Sequence, residues 1–361
     1  MSKRIFRLVS VIMCLALLIG LAVGCQTTST TTAATTAGTT TAATTSAAKT
    51  FKIAMCLELP FIDFFVPTRI GAMDAAKEYG VELDWVGPET AEVSKLISII
   101  ETEIDSGVDA IAIQAGNPEA LKSVVDKAKA KGIPVMVFNN TMEYAGYDGF
   151  VGMQPAVAGK AIGEEIVKIL SGKSEWSAKM GIADGATVEG KIAYLTDLPG
   201  AYNLEGRIQG MRDALKTYTG IKDIGVFDVG TQGMAQAKSV VENIITGNPD
   251  IRVIAAAASG ATAAAGLVVQ EKGIQNKTLV IGMDLLTQTL QLVKDGVIPV
   301  AVGQDPYNQG YLPVKFLAEF LKNGTAIPKV SSTDVEIVTI DNVDEIIARE
   351  AAYLEAGTKL K

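Results

Sequence analysis

From residue 51 onward the chain alternates short, continuously apolar runs with amphipathic stretches, and it goes through that cycle twice. No other feature limits the possible folds as much. Apolar runs of this length without polar alternation belong to strands buried on both faces. Such strands occur in parallel sheets whose crossovers are helices. The first series predicts strands over 51–57, 81–86, 109–114 and 134–139, separated by helices over 64–79, 91–106 and 118–131. Gly80, Gly107 and Gly132 follow those helices closely and suit left-handed C-caps. The second series runs from a strand at 150–153 to one at 335–340, with helices over 156–170, 203–217, 234–246, 262–272, 285–295 and 307–322. The expected class is α/β, with two doubly wound parallel-sheet lobes and a cleft between them. In open sheets of this kind ligands sit beyond the carboxyl ends of the strands. Residues 171–190 break the rhythm; polar, Gly-rich and carrying Trp176, they read as a surface insertion.

The first fifty residues have a different character. Lys3, Arg4 and Arg7 precede an apolar run over 8–23, too short for a membrane span and suited to a signal peptide. The run ends Leu21-Ala22-Val23-Gly24-Cys25, which resembles the bacterial lipobox, where the cysteine is acylated after cleavage. Residues 26–48 are Thr, Ala and Ser with one Gly and one Gln, and carry no charge or aromatic ring. Such a tract cannot bury enough apolar surface to offset its ordering entropy, so it reads as a disordered tether. The expected divisions are a signal peptide over 1–24 and a lipid-anchored linker over 25–50, followed by the folded lobes.

The folded part then holds about 310 residues, large for one core and suited to two. Loss of the signal's three cations takes the net charge from −8 to −11, which argues against nucleic-acid binding. Among three cysteines, Cys14 lies in the signal and Cys25 is the lipid site, which leaves Cys56 as a buried small hydrophobe. The chain has no histidine, which removes Ser-His and Cys-His nucleophiles and most transition-metal sites. Residues 185–191 match GxxxxGK, but Ile192 stands where a phosphate loop needs Ser or Thr, and the segment precedes a strand. No catalytic residue, metal or cofactor is implied, and the protein does not read as an enzyme.

The predicted strand ends instead carry carboxylates, amides and aromatic rings. Asp63, Phe64 and Phe65 follow the first strand, Gln114 the third, and Asn139 with Asn140 the fourth. In the second half come Glu205, Ser259, Asp284 and Gln304. Hydroxyls donate and accept, so a polyhydroxyl ligand needs such groups at fixed positions. The C–H face of a sugar ring needs a flat apolar partner. Each residue taken singly also suits a helix N-cap or core role; their recurrence at strand ends favours a site.

Phe64-Phe65 after the first strand, Val280-Ile281-Gly282-Met283-Asp284, and the segment from Val302 to Tyr311 resemble the ribose/galactose-type periplasmic binding proteins. The resemblance covers about 51–340. It implies two lobes joined by a three-crossover hinge, the type I periplasmic binding protein fold. The lobes would be 51–153 with 305–330 and 154–304 with 331–361, the crossovers falling near 152–154, 303–305 and 331–334. It implies sugar or polyol capture and delivery to an ABC permease and its ATPase at the outer face of the membrane, by a monomer. The alternative is a receptor presenting an amino sugar, nucleoside or signalling furanose to a sensor kinase or chemoreceptor. The sequence departs from the family where Asn139-Asn140 replace Asp-Arg, where Glu205 stands at the position of a site Arg, and where Ser259-Gly260 replace Asn-Asp. On that alignment the site has lost its usual cations.

Overall fold

The computed structural model describes residues 49–360. The expected signal peptide, the expected lipid site at Cys25 and nearly all of the expected tether lie outside the described residues. The first sheet contains β1 (Lys52–Cys56), β2 (Glu82–Val86), β3 (Ala110–Gln114), β4 (Val135–Phe138), β5 (Gly149–Gly152) and β11 (Val330–Ser332). Its order is β11-β5-β4-β3-β1-β2, and every pair is parallel. The helices α1 (Val66–Tyr79), α2 (Val93–Ser106), α3 (Pro118–Ala130) and α10 (Pro306–Asn323) cover it. One apolar cluster lies on each face of this sheet. Cys56 is buried within it. Gly80 and Gly107 end α1 and α2 with φ of 54° and 84°, the left-handed conformation glycine adopts without a Cβ clash.

The second sheet contains β6 (Glu189–Thr196), β7 (Gly220–Asp228), β8 (Ile251–Ala256), β9 (Leu279–Met283), β10 (Val300–Gly303) and β12 (Glu336–Val338). Its order is β12-β10-β9-β8-β6-β7, with only β12 antiparallel. Around it lie α4 (Pro155–Leu170), α5 (Glu175–Lys179), α6 (Tyr202–Leu215), α7 (Met234–Gly247), α8 (Ser259–Lys272) and α9 (Thr287–Lys294). This is the two-lobe α/β architecture the alternation predicts. The chain passes between the sheets three times: β5 to α4, β10 to α10, and β11 to β12.

The structure departs from the expected boundaries in three places. Ser331 and Ser332 pair with Val151 and Gly152 in the first sheet, so the third crossover begins at Thr333. The last helix, α11 (Val343–Thr358), does not belong wholly to the second lobe. Val343 and Ile346 join that lobe's core, while Tyr353 stacks on Tyr307 and Gly357 abuts Val66, both of the first. Residues 171–190 are also more than a loop. They hold α5, capped by the Ser174 and Ser177 side chains, and Trp176 is only 7 % exposed against the second core.

Candidate functional site

A cavity of about 290 Å³ opens between the two lobes at the carboxyl ends of their strands. From the first lobe it takes Glu58, Phe64, Phe65, Gln114, Asn139 and Asn140, and from the second Asp197, Asn203, Arg207, Ser259 and Asp284. Gln304, at the second crossover, completes it. Three non-glycine residues with positive φ lie at strand ends here: Asn139 at 63°, Asp284 at 74° and Asp305 at 51°. Asn and Asp tolerate this left-handed region better than other side-chain-bearing residues, and such strain collects at functional sites.

Arg207 organises the second-lobe side. It is 5 % exposed and projects from α6. Its Nη1 donates to the Ala257 carbonyl at 2.9 Å and its Nη2 to Gln304 Oε1 at 3.1 Å. Gln304 Nε2 in turn donates to Asp284 Oδ1 at 2.6 Å. The close approach of α4 to α6 seats the arginine: a Cβ on Gly159 would collide with the Arg207 carbonyl. Burial lowers the pKa of the guanidinium, while Asp284 and Asp197 oppose that shift. Burial raises the pKa of Asp284, against the pull of Arg207 and the Gln304 hydrogen bond. Asp197 and Glu58 are raised by burial as well.

The first-lobe side is amide and aromatic. Gln114 Oε1 accepts the Glu58 backbone N–H at 3.1 Å, and Asn139 Nδ2 donates to Gln309 Oε1 at 2.8 Å. Phe64 and Phe65 pack edge to face at 4.9 Å between centroids. Arg207 Nε and Asn140 Oδ1 are buried and have no hydrogen-bond partner within the protein. A buried polar atom without a partner is costly, and a polar ligand in this cavity would relieve both.

Eight of the ten sequence-predicted ligand residues therefore line one cavity: Phe64, Phe65, Gln114, Asn139, Asn140, Ser259, Asp284 and Gln304. Two do not. Asp63 is exposed in a 3-10 turn and lines a smaller neighbouring cavity of about 40 Å³. Glu205 is exposed and turns back to accept the Gly200 N–H at 3.0 Å, stabilising the loop before α6. The expected loss of the site cation is also corrected, because Arg207 supplies one. Glu205 and Arg207 stand two residues apart, about 200° around the helix, so one faces solvent when the other faces the cavity. That phase relation was the signal available in the sequence. Asp197, Asn203 and Glu58 also line the cavity, and each stands at a strand end or helix start, as the other lining residues do.

A family profile described as periplasmic binding protein domain matches residues 53–325. The xylose/arabinose-binding protein of Sulfolobus acidocaldarius is 26% identical over 310 residues, which span 81% of this chain and 72% of that protein. The ribose import binding protein of Bacillus subtilis is also 26% identical, over 81% of this chain and 88% of its own length. Among solved structures, an ABC transporter solute-binding protein from Burkholderia graminis in complex with D-arabinose is 30% identical. It superposes with a TM-score of 0.73 over 82% of this chain and 98% of that one.

The raised Asp197 pKa has a stability consequence. A carboxyl whose folded pKa exceeds its ordinary 3.8 stabilises the fold most when protonated, and that contribution is lost as pH rises through the folded value. Asp197→Asn should therefore unfold at a higher temperature than the wild type at pH 7 in the ligand-free state. The gap should close on acidification toward and below the raised pKa. Thermal unfolding across that range checks it; a gap that does not change with pH would contradict the assignment.

Proposed function

This chain belongs to the periplasmic binding protein family, and from that premise we propose that it is the extracytoplasmic solute-binding protein of an ABC importer. It captures a sugar between its lobes and delivers it to the permease. The observation that carries this reading is the interlobe cavity itself. One guanidinium, three carboxylates and several amides converge there beside a phenylalanine pair. This set suits a ligand with hydroxyls around its rim and C–H bonds on its faces. The relatives' names, xylose/arabinose binding and ribose import, together with the D-arabinose complex, favour an aldopentose and favour import over presentation to a sensor.

In this reading Arg207, Asp284 and Gln304 take ligand hydroxyls from one side, while Asn139, Asn140 and Gln114 take them from the other. Phe64 and Phe65 flank the ring. Ligand binding draws the lobes together by rotation about the three crossovers, and the ligand favours the closed form only through contacts made to both lobes. No covalent step enters this account. The Cys25 lipid holds the protein at the membrane, with residues 26–48 as the spacer.

Calorimetric titration with D-xylose, L-arabinose, D-arabinose, D-ribose and D-galactose should give binding of at least one sugar. At about 100 times its Kd, that sugar should add about 2.7 kcal/mol to the stability of the fold. Asp284→Ala and Gln304→Ala should each weaken its binding about 30-fold or more, since each leaves buried partners unpaired. Silence toward every sugar, or unchanged affinity in both variants, would contradict the reading. Cys25→Ala should release the protein from the membrane fraction into the soluble fraction in the native host; continued membrane retention would overturn the lipid anchor.

A further inference from the structure

Among the described residues that line the cavity, Glu58 is the one carboxylate on the first lobe, and it lacks a cation. Asp197 and Asp284 both interact with Arg207, whereas Glu58 shares no ion pair and no hydrogen bond with a cationic side chain. The nearby Asn117 backbone N–H favours its ionised form, and its own backbone N–H donates to Gln114 Oε1 at 3.1 Å. The space it occupies exists because residue 116 is glycine. A Cβ there would collide with both oxygens of the Glu58 carboxylate. The turn after β3 is thus a ledge shaped to hold one acidic group, half-buried, against the cavity.

Holding a half-buried carboxylate without a cation costs stability. That cost is recovered if a ligand donates to it. Resting on the sugar-binding reading above, we propose that Glu58 is a specificity-determining residue that accepts hydrogen bonds from a ligand hydroxyl in its ionised form. Gly116 is the positioning residue that makes its place. An ionised carboxylate is acceptor-only, so a ligand lacking the facing hydroxyl leaves it buried and unpaired. The amides around it are neutral acceptors: Gln114 Oε1 already accepts the Glu58 backbone N–H, and Asn140 Oδ1 is open to a ligand, so Glu58 supplies the one charged acceptor on this side of the cavity. The charged groups facing Glu58 across the cavity are Asp197, Asp284 and Arg207.

The linkage has a definite sign. Burial places the Glu58 pKa above its ordinary 4.5 in the free protein. Hydroxyl donation favours the ionised form, so affinity should fall as pH drops through that raised value. Asp197 and Asp284 also titrate upward of their ordinary range, so the diagnostic quantity is the difference between the wild type and Glu58→Gln. The experiment is calorimetry of D-xylose, L-arabinose, D-arabinose and D-ribose, with the monodeoxy analogues of whichever binds, at several pH values from 7 down to 4.5. Glu58→Gln should bind the best sugar about ten- to hundredfold more weakly at pH 7, and the gap should narrow on acidification. One deoxy analogue should lose affinity in the wild type but much less in Glu58→Gln. Gly116→Ala should reproduce the affinity loss while unfolding at a similar temperature. Sugar binding of equal strength and equal pH dependence in the wild type and Glu58→Gln overturns this inference and leaves the functional reading standing. A wild type that binds no sugar at any pH overturns both.

Discussion

The hydrogen bonds of Gln304 join the cavity to the crossovers between the lobes. The residue stands at the second crossover, where the chain leaves the second sheet for the first. Its side chain is 4 % exposed and uses both ends: the amide donates to Asp284 and the carbonyl accepts from Arg207. Its backbone carbonyl accepts from Thr333 Oγ1 at 3.0 Å and from Gln309 Nε2 at 2.7 Å. Thr333 begins the third crossover, and Gln309 also accepts from Asn139 at the cavity wall. One residue therefore ties the cavity's strongest charges to two of the three crossovers. A ligand that touches Arg207, Asp284 or Asn139 acts on the same network that sets the angle between the lobes.

Electrostatics gives the cavity its character. Three carboxylates and one guanidinium share a small space, and burial works against the charged form of each. Arg207 offsets part of that cost for Asp197 and Asp284. Such a site is held less favourably without a ligand than with one, because donor hydroxyls would complete bonds that the protein leaves open. The same incompleteness gives discrimination: groups held rigidly and left unpaired by a wrong ligand penalise it more than a loose apolar pocket could. The backbone contributes as well. Positive φ at Asn139 and Asp284 turns the chain sharply at two strand ends that line the cavity, while Asp305, also at positive φ, caps α10 by accepting the Asn308 N–H.

Much of this was legible in the residues. Continuous apolar runs such as Ala110–Gln114 read as buried parallel strands, and the polar and aromatic residues just beyond such runs include eight that line the cavity. What failed was helix phase. Glu205 was placed in the site by position, yet its side chain caps Gly200, and Arg207 two residues on occupies the cavity. The seating of Arg207 depends on Gly159 of α4, a tertiary contact that local pattern does not reveal. Asp63 failed for a related reason: the chain enters α1 through a 3-10 turn, which carries Asp63 outward while Phe64 and Phe65 turn in. The split allegiance of α11 likewise arises from packing, with Val343 and Ile346 on one lobe and Gly357 on the other.

A sugar bound between the lobes should sit on the network centred at Gln304. A crystal structure of the protein grown with the aldopentose that binds most tightly tests it most directly. Sugar hydroxyls should lie within hydrogen-bond distance of Arg207, Asp284 and Asn140, with Phe64 or Phe65 against the ring. Sugar bound elsewhere on the protein, with Arg207 and Asp284 contacting only each other's partners, would contradict it.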